Sequence, residues 1–176
     1  MRRNASILVI DDEEIMREIL EALLTREGYS VRLAASAAEG LELAKSAPYD
    51  AAIVDVMMPG MDGIAALEEL KKIDEELPVL MITAFASVET AISAMKSGAF
   101  DYITKPFKND EVLIVVRNAV ERSRLVEENR TLRQNVQEHG GTITCDSAIG
   151  HGTRFRLTLP LVSSRSAALT AANRQA

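Results

Sequence analysis

Ala51-Ala-Ile-Val-Asp55, running on through Val-Met-Met-Pro-Gly-Met-Asp-Gly63, decides how this chain folds. The apolar run over residues 51–54 predicts a strand buried on both faces, as in a parallel sheet. An aspartate stands at its carboxyl end, and the Pro-Gly turn leads into a helix that begins near Gly63. Open α/β sheets place ligands and chemistry outside the carboxyl ends of their strands. Asp55 is therefore the first candidate functional residue.

The same strand–helix unit repeats on both sides. Residues 7–10 predict a buried strand closed by Asp11-Asp12, and Ile15, Ile19, Leu20, Leu23 and Leu24 then recur at helical spacing until Gly28. Residues 29–34 predict a second strand. Ser36 can cap a second helix carrying Ala37, Leu41 and Ala44, which Pro48 ends. The helix after the third strand uses Ile64, Leu67 and Leu70. Residues 78–83 give a fourth strand, and Ser87 can cap a helix through Ala91, Ile92 and Met95 that Gly98 ends. Residues 101–104 give a short fifth strand, followed by Lys105-Pro106-Phe107 and a helix from Asn109 or Asp110. This (βα)5 order predicts a doubly wound α/β fold, a parallel sheet covered on both faces by right-handed crossovers.

The fifth helix is expected to overrun the domain. Val112, Leu113, Val116, Ala119 and Val120 can pack on the sheet, but helix-forming residues continue to Glu138. With Leu125 and Leu132 at d positions, Asn129 and Val136 fall at a, and a lone Asn at a fixes a parallel two-stranded register. A homodimer through this extension is the expectation; a solvated helix is the plainer alternative. Composition changes at His139-Gly140-Gly141. Residues 142–146 and 153–159 alternate like strands around a turn at 147–152, which predicts a β-hairpin. The expected organisation is an α/β domain at 1–120, a helical extension at 121–138, a hairpin at 139–161 and a disordered tail at 162–176.

Composition narrows the function. The 176 residues carry a formal charge of −6 and 47% hydrophobic residues. A core is affordable, and the acidic balance argues against direct nucleic-acid binding. The single cysteine, Cys145, excludes an intramolecular disulfide framework. No segment approaches the roughly 18 apolar residues of a membrane span, and residues 7–10 are too short for a signal-peptide core. A soluble, cytoplasmic protein without membrane contact is expected.

Strand ends deliver Asp11-Asp12, Asp55, Thr83 and Lys105 to one rim. Three carboxylates gathered there repel one another and raise the proton affinity of at least one of them. A hard divalent cation, Mg²⁺ or Mn²⁺, relieves that repulsion. Lys105 can pair with Asp55 and then move to an added phosphoryl oxygen, to which Thr83 can donate its hydroxyl. Each residue also has a plain structural reading: Asp12 as a helix cap, Asp55 as the start of a turn, Thr83 as a strand end, Lys105 as a solvated lysine.

Residues 5–120 resemble a response-regulator receiver domain of two-component signalling, with the flavodoxin-like strand order 2-1-3-4-5. The carrying motifs are Ile-Leu-Val-Ile-Asp-Asp-Glu-Glu (7–14), Asp55 with Met-Met-Pro-Gly-Met-Asp-Gly (57–63), Ile-Thr-Ala (82–84) and Gly-Ala-Phe-Asp-Tyr-Ile-Thr-Lys-Pro-Phe (98–107). The resemblance implies that Asp55 accepts a phosphoryl group from a phosphohistidine on a histidine kinase or phosphotransfer protein. It implies Mg²⁺ held by Asp12, Asp55 and the main-chain carbonyl of Met57, with Asp11 acting through water. It further implies that Lys105 and Thr83 bind the phosphoryl oxygens, that Lys105-Pro106 is cis, and that Tyr102 turns inward as Thr83 moves toward the phosphoryl group. The face formed by helix four, strand five and helix five would then change.

The stretch 120–133 resembles the linker after receivers of the nitrogen-regulatory, sigma-54-activator type. Neither the Gly-x-x-x-x-Gly-Lys loop of their ATPase module nor their DNA-binding module has a counterpart here. His139-Gly-Gly-Thr-Ile143, Gly150-His-Gly-Thr-Arg-Phe155 and Leu157-Thr-Leu-Pro160 resemble the last two strands of a histidine-kinase ATP-binding domain. That family's nucleotide-binding asparagine and glycine-rich lid motifs have no match, so Thr153 stands without its companions. The expectation is no kinase or ATPase activity, and only phosphotransfer to Asp55 followed by its slow hydrolysis.

Overall fold

Five parallel strands form one sheet: β1 (Ser6–Ile10), β2 (Ser30–Ala34), β3 (Ala51–Asp55), β4 (Val79–Thr83) and β5 (Asp101–Thr104), in the order β2-β1-β3-β4-β5. This is the flavodoxin-like order expected from the sequence. The computed structural model describes residues 4–84, 87–138, 142–148 and 152–158. The helices are α1 (Glu14–Arg26), α2 (Ala37–Ser46), α3 (Gly63–Ile73), α4 (Val88–Lys96) and α5 (Asn109–Glu138).

Strand alternation sorts the core into two layers. Ile7 and Val9 share one face with Ile53, Leu80 and Ile82, covered by Leu20 and Leu24 of α1 and Val112 and Val116 of α5. Leu8 and Ile10 share the other with Val54 and Met81, covered by Leu41 of α2, Leu67 and Leu70 of α3 and Ala94 of α4. Every residue of β3 and β4 is buried. Each large aliphatic side chain so buried stabilises by about 1.5–3 kcal/mol. The middle of the sheet is consequently the rigid base on which the strand ends are held.

The helix starts follow local chemistry. Ser36 Oγ accepts from the Glu39 amide, and Asp62 Oδ1 accepts from the Ala65 amide at 2.8 Å. Ser87 and Thr90 form a reciprocal capping box at the start of α4. Gly98, with φ +92°, turns the chain out of α4 toward β5.

Two helices depart from the expected apolar faces. In α1, Leu20 and Leu24 are fully buried, but Ile15 and Ile19 are exposed. They form a second i, i+4 row turned about 100° from the leucine row, and only one row can face the sheet. In α4, Ala94 is buried, whereas Val88, Ile92 and Met95 are exposed. Alanine lets this helix lie against the sheet beside the edge strand β5, and its larger side chains point outward.

Val112, Val116, Ala119 and Val120 of α5 are buried, Leu113 is partly so, and Leu125 and Leu132 are exposed. The chain divides into two compact units, Met1–Glu127 and Glu128–Ala176. The second contains β6 (Thr142–Ala148) and β7 (Gly152–Thr158), paired antiparallel from Thr142↔Thr158 to Ala148↔Gly152. Pairing runs further toward the turn than the alternation of side chains suggests. His139, residues 140–141 and the segment 162–176 lie outside the described residues. Among the described residues, no helix is long and apolar enough to cross a membrane.

Candidate functional site

Asp55 is the last residue of β3, and Asp11 follows β1 directly; both are almost completely buried. Asp12 beside them is exposed. Each of the three offers a carboxylate oxygen, and these oxygens lie within 4.8 Å of one another. Neighbouring parallel strands produce this juxtaposition, because the register Ile10↔Val54 sets the ends of β1 and β3 side by side.

Lys105 enters the cluster from the end of β5. Its amide donates to the Thr83 carbonyl at 2.7 Å, and its peptide bond to Pro106 is cis, as the receiver resemblance implies. Its Nζ donates to Asp11 Oδ2 at 2.9 Å, reaches Glu13 Oε1 at 3.4 Å and lies 3.5 Å from Asp55 Oδ1. Asp11, rather than Asp55, is thus its principal partner. At Asp55 the ammonium is within ion-pair range, but Oδ1 has no hydrogen bond. Burial lowers the proton affinity of Lys105, but the Asp11 hydrogen bond and the charges of Asp11, Asp55 and Glu13 outweigh it, raising its pKa overall.

The opposite holds for Asp55. Burial, with the charges of Asp11 and Asp12, outweighs the attraction of Lys105 and pushes its pKa from 3.8 to about 6. Removing a carboxylate from water disfavours its ionised form, and neighbouring like charges add to that. Asp55 is thus a buried carboxylate with Lys105 at ion-pair range and one oxygen that accepts no hydrogen bond.

Hydrogen bonds divide the three aspartates. Asp11 Oδ1 accepts from the Glu13 amide at 2.9 Å, Oδ2 accepts from Lys105, and the main-chain carbonyl accepts from Arg17 Nη1 at 2.7 Å. Asp11 is therefore committed to the protein. Asp55 Oδ1 accepts no hydrogen bond, and Asp12 is exposed. The N-cap position of α1 falls on Glu13, so Asp12 is not spent as the cap. This donor set, hard carboxylates with one face toward solvent, fits a divalent cation such as Mg²⁺.

Thr83 ends β4 and is completely buried. Met57, just beyond β3, has an exposed side chain. Gly63 closes the turn that follows β3: its amide donates to the Val56 carbonyl, and a Cβ there would collide with the Asp55 carbonyl. Tyr102 is half-buried, and its hydroxyl shares a 3.2 Å hydrogen bond with Thr90 Oγ1 at the start of α4. The two residues that sequence reasoning missed are Glu13 and Arg17. Arg17 lies one turn into α1, where a side chain tilted toward the helix N-terminus reaches back to the loop.

A family model, response regulator receiver domain, matches residues 7–117. The chain belongs to that family, and it is a receiver domain homologous to response regulators of two-component systems. It is 39% identical over 132 residues to an NtrX-like response regulator of Rickettsia bellii, covering 74% of this chain and 28% of the relative. It is 44% identical over 117 residues to the transcriptional regulatory protein ZraR of Escherichia coli K12, covering 66% and 26%. Among solved structures, a receiver domain protein from Clostridium thermocellum matches with TM-score 0.66 and 37% identity, covering 69% of this chain and 98% of that one. NtrX from Brucella abortus matches with TM-score 0.69 and 39% identity, covering 76% and 31%. The chain spans little more than a quarter of the length of the curated relatives it matches.

Proposed function

We propose that Asp55 accepts a phosphoryl group from a phosphohistidine on a histidine kinase or phosphotransfer protein. The observation that carries this reading is the Asp55 carboxylate itself: buried, with one oxygen lacking a hydrogen bond, inside a cluster with Asp11, Asp12 and Lys105. Asp12, Asp55 and the main-chain carbonyl of Met57 would hold Mg²⁺ (Mn²⁺ suits the same donors), with Asp11 acting through water. The bound cation supplies positive charge where phosphoryl oxygens gather negative charge.

An Asp55 carboxylate oxygen forms the new bond to phosphorus as the P–N bond to the donor imidazole breaks. The electron pair of that bond stays on the imidazole nitrogen, which takes up a proton. Lys105 then shifts from Asp11 toward a phosphoryl oxygen, with Thr83 donating its hydroxyl to another. Tyr102 follows Thr83 inward and gives up its bond to Thr90. Because Thr90 also closes the capping box of α4, the start of that helix feels the switch, and the face of α4, β5 and α5 changes. Catalysis is confined to this self-modification and its hydrolytic reversal, with no kinase or ATPase activity.

The working organisation is a receiver at 1–120, a helical extension at 121–138 and a hairpin at 139–161 derived from kinase-like strands. A cytoplasmic setting suits this chemistry, and output runs through association with protein rather than nucleic acid. Exposed Leu125 and Leu132, one heptad apart on α5, favour a homodimer through the extension. The same leucines support a second reading, a constitutive dimeric scaffold in which phosphorylation is secondary.

Intact-mass measurement after treatment with a small phosphodonor and Mg²⁺ tests the site. One phosphoryl group should appear on the wild type and none on Asp55→Asn; equal labelling of both would remove Asp55 from its role.

A further inference from the structure

Glu13 reaches the pocket that the phosphoryl chemistry occupies, yet it makes no side-chain cap on α1, although it holds the N-cap position. Its carboxylate, 61% exposed, lies 3.4 Å from Lys105 Nζ. A solvated pair of this kind contributes little to stability. Its charge, however, stands at the solvent side of the lysine that an incoming phosphoryl group must reach. Of the four carboxylates grouped here, Glu13 is the exposed one that touches the lysine, whereas Arg17 donates to the Asp11 main-chain carbonyl rather than to Glu13's side of the pocket.

We propose that Glu13 is a donor-selectivity residue, a negative charge at the pocket mouth that disfavours doubly charged small phosphodonors relative to donors carrying less negative charge. This rests on the reading of Asp55 as the phosphoryl acceptor. Repulsion between Glu13 and the donor acts before any bond changes, so it weighs on encounter with the donor and falls with salt. Competition for Lys105, an ammonium shared between Asp11 and Glu13, weighs on every donor alike and leaves the donor ratio to the charge repulsion. A phosphohistidine presented by a protein, with a cationic or neutral imidazole on phosphorus, meets the smaller barrier.

The test compares labelling rates with acetyl phosphate, a dianion at neutral pH, and phosphoramidate, which carries less net negative charge. In Glu13→Gln, which keeps size and hydrogen-bonding capacity, the acetyl phosphate to phosphoramidate rate ratio should rise about 3-fold at low salt. Glu13→Lys should raise it further, and about 0.5 M salt should bring all three proteins together. Calorimetric Mg²⁺ titration gives a readout independent of labelling: affinity should change less than about 3-fold in Glu13→Gln, whereas loss of a true ligand costs 10-fold or more. An unchanged donor ratio with both proteins still labelled would overturn the selectivity role and leave Asp55 as acceptor. A 10-fold fall in Mg²⁺ affinity would make Glu13 a ligand instead. No labelling of wild type by either donor would overturn the acceptor reading, and this inference with it.

Discussion

The middle of the sheet and its carboxyl rim are one residue apart and obey opposite rules. Val54 is fully buried among apolar neighbours, and its burial is straightforwardly stabilising. Asp55, the next residue, is almost as buried but keeps an oxygen without a hydrogen bond and two further carboxylates close by. Burying an ionised group stabilises only when it is paired and hydrogen-bonded. The rim is therefore a local conflict that the rigid middle sustains. The conflict is released by anything that brings positive charge to Asp55.

Substitutions on the two sides of that boundary should move stability in opposite directions. Ile53→Ala should cost about 2–5 kcal/mol in urea unfolding, because the cavity opens under α1 and α5. A loss below 1 kcal/mol would mean that the middle is less tightly packed than its burial implies.

Asp55→Asn should instead stabilise the metal-free protein at pH 8, by on the order of 1–3 kcal/mol. The sign follows from the raised pKa of about 6 against an ordinary 3.8. The folded state binds this proton more tightly, so the wild type should lose stability as pH rises from about 4 to about 6 and then level off. The variant should lack that contribution, and a variant less stable than wild type above pH 7 would break the contrast.

Mg²⁺ should narrow the gap. At roughly tenfold excess over its dissociation constant it should stabilise the wild type by about 1–2 kcal/mol. In Asp12→Asn the gain should be much smaller at the same concentration, and Ile53→Ala should retain it in full. A thermal shift equal in all three proteins would show that the cation acts elsewhere. The smallest effect is expected far from both regions: Leu125→Glu should change unfolding free energy by less than about 0.5 kcal/mol, since that side chain is already exposed. If the α5 extension pairs, the same substitution should shift solution mass by light scattering.

How much of this was legible in the sequence differs along the same boundary. Residues 51–54 could be recognised as a central strand because a doubly covered strand leaves an unbroken apolar run. The rim aspartates were recognisable because each follows such a run. Burial faces of α1 and α4 were not, since Ile15 and Ile19 repeat at the same helical spacing as Leu20 and Leu24. Spacing identifies a row, and only packing against the sheet selects which row turns inward. Partner choice at Lys105 was also illegible. Its preference for Asp11 over Asp55 depends on how β5 and β1 flank the pocket and on a few tenths of an ångström. Arg17 and Glu13 reach the site through side-chain direction at the start of α1, which no pattern of residue types encodes.

The most direct test locates the phosphoryl group chemically. After phosphorylation with Mg²⁺, borohydride reduction converts an aspartyl phosphate to homoserine, and peptide mass spectrometry identifies the position. Reduction confined to position 55 is the expected result. Reduction at position 11 or 12, or phosphate on a histidine with residue 55 unchanged, would contradict the assignment of Asp55.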